Sequence, residues 1–162
     1  MQNNQVLIGL GSNLNDPTRQ LSLAIDTLKE QQGICLLACS SLYSSTPQGP
    51  QDQDNFVNAV VWIETNLSPL ALLQTTQSIE QALGRIKTRH WGERVIDLDI
   101  LFFNQEQIQL QDPDLSIPHP FALERDFVLL PALEIAPAWQ LPDQTFLQDY
   151  MLQCTDHELQ KI

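Results

Sequence analysis

The chain has 162 residues, of which 43% are hydrophobic and 17% charged, and its formal net charge at pH 7 is −12. This length predicts one domain, large enough to bury a hydrophobic core without disulfides or a structural metal. Eight basic residues against twenty acidic ones leave little from which to build a basic face, which argues against a nucleic-acid-binding protein. No apolar stretch approaches the ~20 residues of a membrane span, and the N-terminal residues do not resemble a secretory signal. We therefore expect a cytoplasmic protein without membrane contact.

The N-terminal part of the chain predicts one strand followed by one helix. An apolar run at residues 6–10 predicts the strand, and we interpret Gly9 and Gly11 as parts of the tight turn that ends it. A nucleotide-binding loop is the alternative, although neither a P-loop nor a dinucleotide motif is present. Asp16 followed by proline is typical of a helix N-cap. Apolar residues at helical spacing extend this helix to about Glu30.

Two more predicted strands lie on either side of a long polar loop. Residues 35–43 predict the second strand, on which Cys35 and Cys39 lie too far apart for a disulfide. A proline-bearing polar loop follows at residues 44–55 and leads into a third strand at residues 56–64.

Ser68-Pro69 repeats the cap-plus-proline pattern and predicts a second helix, which ends at Gly84. The residues expected to form its buried stripe are Leu72, Thr76, Ile79 and Leu83. Gln77 and Glu80 lie beside that stripe, roughly 100° round the helix.

The C-terminal half predicts a fourth strand at residues 95–103, with residues 108–110 as its short partner across an intervening turn. Residues 122–132 and 145–153 are expected to be helical, the second stretch within a C-terminal tail at residues 143–162.

The order strand, helix, strand, strand, helix, strand predicts an α+β fold of the ferredoxin-like sandwich type. In this fold helices pack on a face of one central antiparallel sheet. We expect a single domain over residues 1–162, with a core at about residues 5–142.

Half of the positive charge lies within residues 85–94. The basic residues there are Arg85, Lys87, Arg89 and Arg94, four of only eight in the chain. A charge run is most often a solvated surface, which remains the alternative interpretation. Trp91 beside Gly92, however, suggests a mobile lid that brings arginines onto a phosphate chain and excludes water.

Asp97 and Asp99 follow this segment and are one residue apart on the predicted fourth strand. Such side chains point to the same face, with Cα atoms about 6.5–7 Å apart, which suits two carboxylates that bind Mg²⁺. The residues predicted to pack on the opposite face are Ile96, Leu98, Ile100 and Phe102. The alternative is a solvated outer face.

His119 lies between two prolines, and Arg125 follows closely. A loop histidine is often structural or merely exposed. Rigid flanking residues lower the entropy of holding it against a ligand, so a phosphate contact is the competing hypothesis.

Five blocks of the sequence together resemble 6-hydroxymethyl-7,8-dihydropterin pyrophosphokinase of folate synthesis. The blocks are residues 11–14 (GSNL), 40–50 (with SSLY and PQGP), 54–60 (DNFVNAV), 84–101 (with GR, WGER and DLDIL) and 117–129 (beginning IPHP). Their order along the chain is that of the family.

The resemblance implies transfer of the β,γ-pyrophosphoryl group of MgATP to the hydroxymethyl oxygen of 6-hydroxymethyl-7,8-dihydropterin, with release of AMP. The residues it assigns to catalysis are Arg85, Lys87, Trp91, Arg94, Asp97 and Asp99, the two aspartates also binding two Mg²⁺ ions. Those assigned to ATP are Gln77, Glu80, Arg85, Lys87, Trp91, Arg94, Ile100, Ser116, His119 and Arg125. Those assigned to the pterin are Ser45, Thr46, Pro47, Gln48, Phe56, Asn58, Trp91 and Phe127.

Four residues depart from the pattern common in that family, namely Gln48, Lys87, His90 and Glu93. They bear on affinity and loop motion more than on reaction type. The resemblance also makes other folate-pathway enzymes candidate partners of what we expect to be a monomer. Two other hypotheses are a non-catalytic, ferredoxin-like nucleotide-binding regulatory module and a single-strand RNA binder, against which the acidic charge argues.

Overall fold

The structure is a computed structural model, and it describes residues 3–47, 49–84, 95–153 and 159–162. The strands are β1 (Asn4–Ser12), β2 (Ile34–Cys39), β3 (Tyr43–Ser45), β4 (Phe56–Thr65), β5 (Asp97–Phe103), β6 (Ile108–Leu110), β7 (Leu115–Ile117) and β8 (Gln160–Lys161). The α-helices are α1 (Pro17–Glu30), α2 (Pro69–Ala82) and α3 (Asp126–Ile135). Two 3-10 segments lie at Ala122–Glu124 and Leu147–Gln153.

The main sheet has the strand order β5-β1-β4-β3-β8, and β2 also pairs with β4. All of its pairings are antiparallel. Counting β2 and β3 as one broken strand, the order of the four predicted strands is 4-1-3-2. This order, with a helix after the first and third strands, confirms the predicted α+β ferredoxin-like sandwich.

Helices cover both faces of the sheet rather than one. Val6 and Ile8 of β1 pack with Leu21 of α1 and Leu72 of α2 in one buried cluster. Leu7 lies in a second cluster on the other face, where α3 packs. Because successive strand residues point to opposite faces, β1 contributes apolar side chains to both layers.

The two predicted helix starts are at the expected residues but differ in how they are capped. Ser68 accepts a hydrogen bond from the backbone N–H of Ala71, as an N-cap side chain should. Asp16 occupies the cap position of α1 with a left-handed backbone, φ 63°, and its side chain makes no cap hydrogen bond. Asp16 is therefore the N-cap residue, as predicted, but it does not cap α1 through its side chain.

A bulge in β5 changes the face on which its later residues lie. The pairing with β1 shifts between Leu7 and Ile8, so that Leu101 is the extra residue on β5. As a result, Leu98 and Ile100 belong to the α1/α2 cluster, whereas Phe102 packs in the α3 cluster. The prediction that Phe102 shares a face with them is wrong, because strict alternation does not continue through a bulge.

Four further predicted elements differ from the structure. The predicted strand at 35–43 is two strands, and β3 extends into the predicted loop as far as Ser45. Residues 108–110 pair with β7 and not with the fourth predicted strand, because a second hairpin supplies their partner. The helix expected at 122–132 is a 3-10 turn followed by α3, and Leu147–Gln153 forms 3-10 structure.

Cys35 and Cys39 carry free, exposed thiols. In the described part of the chain, no helix has the length and apolar character needed to cross a membrane.

Candidate active site

An open cavity lies where β1, β4 and β5 meet the start of α3. Its lining residues are Gly9, Leu10, Gly11, Ser45, Thr46, Phe56, Asn58, Ala59, Asp97, Asp99, Leu101, Arg125, Phe127 and Val128. Eight of these residues were candidates from the sequence, and the fold brings them together from four elements and the segments beside them. The cavity is therefore the candidate active site.

Asp97 and Asp99 lie directly opposite glycines on the neighbouring strand. In the pairing of β5 with β1, Asp97 is opposite Gly11 and Asp99 is opposite Gly9. Cross-strand neighbours on one face have Cβ atoms about 4.5–5.5 Å apart, so a side chain at either glycine would lie beside a carboxylate. The glycines leave room above the strand for a ligand and its cations.

This arrangement corrects the interpretation of Gly9 and Gly11 as a tight turn. Strand β1 continues through both residues to Ser12. Alternate glycines inside an apolar strand are a sign of close ligand approach, and this signal was available in the sequence.

Glu80 of α2 connects that helix to the aspartate pair. Its carboxylate accepts the backbone N–H of Leu98 at 2.8 Å, and the residue is 3% exposed. Gln77, one turn earlier, is exposed. Gln77 and Glu80 were expected to face the nucleotide together, but they differ in burial. Only Glu80 packs against the strand that carries the aspartates.

His119 lies beside Asp99, with Nε2 4.0 Å from the Asp99 Oδ2 atom. Its backbone N–H donates to the carbonyl of Leu101 at 3.0 Å, which fixes the histidine against β5. Burial, with a smaller contribution from Arg125 and opposed by Asp97, lowers the pKa of His119 to about 4. The imidazole is neutral at pH 7, so its contact with Asp99 is polar and not an ion pair.

The tautomer of this neutral imidazole follows from its second hydrogen bond. The backbone N–H of Phe121 donates to His119 Nδ1 at 3.2 Å. Nδ1 is thus the acceptor, and the ring proton lies on Nε2, the nitrogen on the side of Asp99. His119 therefore presents an N–H donor beside the aspartate pair.

Arg125 is clamped between two aromatic rings at the start of α3. Its guanidinium carbon lies 5.2 Å from the centroid of Phe121 and 5.5 Å from that of Phe127. The Nε atom is buried and has no hydrogen-bond partner among the described residues. Burial lowers the pKa of Arg125, and the nearby Asp99 and Asp97 oppose that shift. A buried, unsatisfied donor of this kind suits an anionic oxygen.

The cavity lining also combines aromatic rings with an oriented carboxamide. Phe56 and Phe127 both line the cavity. Asn58 is 4% exposed, and its Nδ2 donates to Ser45 Oγ at 2.7 Å and to the Tyr43 carbonyl at 3.4 Å. The side chain of Asn58 is therefore oriented by β3, as a residue that reads the edge of a ring must be.

The loop between β3 and β4 is held by side-chain amides. Gln51 Nε2 donates to the carbonyls of Pro47 and Gly49, each at 2.9 Å. Asn13 Nδ2 donates to Gln53 Oε1 at 2.9 Å and to the Asp54 carbonyl at 3.0 Å. These bonds support the segment at Ser45–Pro47 expected to read the pterin edge.

Some predicted residues are not brought to this cavity. Ile100 is 4% exposed and packs on the α1/α2 side of the sheet. Ser116 pairs with Gln109 in the small hairpin and is not among the lining residues. The remaining predictions concern residues outside the described part of the chain: Gln48, Arg85, Lys87, Trp91 and Arg94.

Leu101 and Phe121 are two further residues of the site that were not among the predicted ones. Leu101 lines the cavity because it is two residues after Asp99, and alternation along β5 places both on the same face. That spacing was the signal available in the sequence. Phe121 stacks on Arg125, and its position next to the histidine-proline pair was the available signal.

The candidate site combines a carboxylate pair on a strand, a neutral histidine and a ring-clamped arginine beside aromatic side chains. These features are typical of an α+β enzyme that acts on a phosphorylated substrate together with a flat ring.

The comparisons with known proteins agree with this class. Residues 7–137 match the family model "7,8-dihydro-6-hydroxymethylpterin-pyrophosphokinase (HPPK)". The chain belongs to this family.

Curated relatives cover nearly the whole chain. A 2-amino-4-hydroxy-6-hydroxymethyldihydropteridine pyrophosphokinase of Haemophilus influenzae is 45% identical over 155 residues, 96% of each chain. The protein of the same description from Pseudomonas aeruginosa is 40% identical over 158 residues, 98% of this chain and 96% of the relative.

Solved structures support the fold. The wild-type Plasmodium falciparum HPPK-DHPS crystallised with STZ-DHP superposes with a TM-score of 0.74 at 17% identity, covering 94% of this chain. The present chain spans 43% of the length of that protein.

Proposed function

We propose that the cavity at β1, β4 and β5 is where this pyrophosphokinase brings its two substrates together. The chain transfers the β,γ-pyrophosphoryl group of ATP to the hydroxymethyl oxygen of 6-hydroxymethyl-7,8-dihydropterin, a step of folate biosynthesis. The observation that carries the location is the placement of Asp97 and Asp99 opposite Gly11 and Gly9, beside the aromatic side chains of the cavity.

The residues present fit Mg²⁺, which accompanies ATP in such enzymes. Mg²⁺ is commonly bound by one or two carboxylates, with phosphate oxygens and waters completing the shell. Asp97 and Asp99 supply the carboxylates of that donor set. Two ions are proposed, and phosphate oxygens and waters would complete their shells. When bound, the ions neutralise phosphate charge and orient the reacting groups.

Arg125 and His119 are proposed to hold the triphosphate from the other side. The Arg125 Nε–H is buried and ready to donate, and the neutral imidazole of His119 presents its Nε2–H. Arg85, Lys87, Arg94 and Trp91 are proposed to act with them, as are Gln77, Glu80, Ile100 and Ser116 on the nucleotide. The side chain of Ile100 is in the core, so its contribution would come from the backbone.

The pterin is proposed to lie between Phe56 and Phe127. Asn58, oriented through Ser45, would pair with the amide-like edge of the ring. Thr46, Pro47 and Gln48 would contact the remaining edge. Stacking on both faces holds the ring plane and therefore the direction of its hydroxymethyl group.

In the reaction, the hydroxymethyl oxygen bonds to the β-phosphorus while the bond to the oxygen bridging to the α-phosphate breaks. AMP leaves, and the hydroxyl proton passes to solvent. Positioning and charge neutralisation account for catalysis of this type, so a dedicated protein base is not required. We further propose a cytoplasmic monomer, with other folate-pathway enzymes as candidate partners.

The test follows nucleotide products after mixing the purified chain with MgATP and 6-hydroxymethyl-7,8-dihydropterin. AMP that forms only when pterin and Mg²⁺ are both present supports the proposal. ADP would contradict it, because ADP signals γ-phosphoryl transfer. ATP binding without turnover would instead support the non-catalytic nucleotide-binding module, which the family match does not favour.

A further inference from the structure

A second cavity lies at the other end of the sheet face that carries the candidate active site. Its volume is about 500 Å³, within the range of small-molecule sites. The residues that line it are Gln5, Trp62, Asn104, Gln105, Ala136, Pro137, Ala138, Trp139 and Gln140. We call it the tryptophan cavity.

The tryptophan cavity has an uncharged lining in a strongly acidic protein. None of its nine lining residues is ionisable, whereas the chain has 20 acidic and eight basic residues. Glu64 and Glu106 accept hydrogen bonds from the lining residues Gln5 and Asn104 but are not themselves among the lining residues. A charged ligand would find no counter-ion among the lining side chains, so the cavity favours a neutral one.

Two tryptophans give the cavity its aromatic character. The rings of Trp62 and Trp139 are 5.6 Å apart at their centroids and meet edge to face at 83°. Because the two ring planes are nearly perpendicular, a flat molecule can stack on the face of one ring and contact the edge of the other.

The two indole N–H groups differ in their hydrogen bonding. Trp62 Nε1 donates to Gln5 Oε1 at 2.7 Å. Trp139 is 9% exposed, and its buried Nε1 has no hydrogen-bond partner among the described residues. A buried donor without an acceptor is costly, and a ligand carbonyl would satisfy it.

A pair of glutamines connects the two rims of the cavity. Gln105 Nε2, in the turn after β5, donates to Gln140 Oε1, and Gln140 Nε2 donates to the Gln144 carbonyl at 3.0 Å. These carboxamides are solvent-facing and can exchange partners, so they offer donors and acceptors at the entrance.

We propose that the tryptophan cavity is a second ligand site, which takes a flat, uncharged heterocycle bearing an amide or lactam carbonyl. The ring stacks against Trp62, and the carbonyl accepts the Nε1–H of Trp139. The carboxamides of Gln105 and Gln140 contact the polar edge of the ligand.

This site is separate from the candidate active site. Arg125 and Phe127, at the start of α3, border the active site, whereas Ala136–Gln140 follow the end of α3. The ten residues of α3 span about 15 Å between these ends. A ligand in the tryptophan cavity therefore does not compete for the aspartate pair.

The test uses quinolin-2(1H)-one as the probe and the full chain labelled with ¹⁵N. Titration should shift the indole N–H resonance of Trp139, assigned from its loss in Trp139→Phe, and leave the amides of Gly9 and Gly11 unchanged. Trp139→Phe should weaken the Kd roughly three- to tenfold, because one hydrogen bond is lost. Quinoline-2-carboxylate, a flat anion, should bind at least about tenfold more weakly.

A second variant keeps the test decisive if Trp139→Phe does not fold. Ala138 is exposed and lines the cavity, so Ala138→Phe should fill it and abolish the probe-induced indole N–H shift without disturbing the core, whether or not that resonance is assigned. The absence of any indole N–H shift at millimolar probe, or equal binding to Ala138→Phe, would overturn the proposal. So would shifts confined to Gly9 and Gly11.

Discussion

The carboxylate of Glu80 accepts the backbone N–H of Leu98, the residue that separates Asp97 from Asp99. Among the described strands β5 is at one end of the sheet, and this N–H points to Glu80, on the side where none of them pairs with β5. Helix α2 thus fixes the backbone between the two carboxylates through one buried side chain. The position of Asp97 and Asp99 then depends on a residue outside the cavity lining.

The first prediction concerns that positioning contact. Glu80→Ala leaves the Leu98 N–H without its acceptor, which should lower the free energy of unfolding by about 1–3 kcal/mol. We also expect a higher Mg²⁺ concentration for half-maximal rate, because the aspartates are held less firmly. Glu80→Gln keeps an acceptor of the same shape and should recover most of both losses. Urea unfolding and Mg²⁺ titration of the rate measure the two effects, with exposed Gln74→Ala as the control. Equal behaviour of the Ala and Gln variants would contradict a positioning role.

Substitution of the aspartates tests the proposed metal ligands directly. Asp97→Asn or Asp99→Asn should each reduce turnover by at least ~10²-fold, as loss of a preorganised charge partner does. The fold should be retained, because both side chains are partly exposed on the cavity side. Asp114→Asn, on an exposed turn, is the matched control. Near-normal turnover in both variants would contradict the assignment of these aspartates as metal ligands.

Gly11→Ala tests whether the surface of β1 at Gly11 contacts the bound pterin. The added methyl would lie 3.4 Å from Asn58 Oδ1 and 3.9 Å from Phe56 Cδ1, contacts that the fold tolerates. It would occupy space needed by a ring stacked on Phe56, so the KM for the pterin should rise roughly tenfold. The melting temperature should hardly change. Gly9→Ala, whose methyl would lie 3.2 Å from Leu101 Cδ1, should lower stability instead. An unchanged pterin KM in Gly11→Ala would count against the site.

Arg125→Lys separates charge from shape at the phosphate side of the cavity. Lysine keeps the charge but loses the planar group clamped by Phe121 and Phe127, and with it the Nε–H. We expect the Kd for MgATP to weaken roughly tenfold, as measured by calorimetry. Arg19→Lys, exposed on α1, should have no effect. Wild-type affinity in Arg125→Lys would mean that only a point charge is needed there.

The hydrogen bond of Tyr43 predicts how the stability of the fold depends on pH. Its hydroxyl donates to Glu134 of α3, which also accepts from the N–H and Oγ of Ser41 at 2.9 Å. Burial, followed by the bond and charge of Glu134, raises the pKa of Tyr43 to about 12. The unfolded phenol loses its proton near pH 10, so this stabilisation is complete below about pH 10 and is lost as the pH rises to about 12.

Tyr43→Phe should therefore be less stable than wild type by about 1 kcal/mol at pH 8, and the difference should shrink above about pH 10. Urea unfolding at several pH values measures it. Tyr150→Phe, whose partner is the Thr145 hydroxyl, is the control. A difference that does not change with pH would refute the coupling to Glu134.

Periodicity and capping predicted the elements that position the site. Pro17 and Pro69 begin helices where expected, and the strand with Asp97 and Asp99 lies beside the first strand. These signals are local, so one sequence carries them. The family motif then assigned Arg125 and Phe127, which are distant in sequence from Asn58 but share its cavity.

What could not be predicted depends on contacts between elements. The Leu101 bulge reverses the face of Phe102, and no local pattern marks such an extra residue. The burial of Glu80 depends on the nearby edge of β5, which explains why it and the exposed Gln77 differ despite similar positions on the helix. The prediction of a turn at Gly9 and Gly11 was wrong because glycine occurs both in turns and at strand positions where another group approaches closely. Only the pairing with the neighbouring strand distinguishes the two.

The outer edge of β5 also bears on how the molecule behaves in a crowded solution. A strand with open N–H and carbonyl groups invites pairing with a strand of another chain, a common route to aggregation. Here the Leu98 N–H donates to the Glu80 carboxylate, and the Leu101 carbonyl accepts a hydrogen bond from the His119 N–H. Two backbone groups of the strand proposed to bind Mg²⁺ are thus unavailable for intermolecular β-pairing, because the contacts that hold the strand in place already use them.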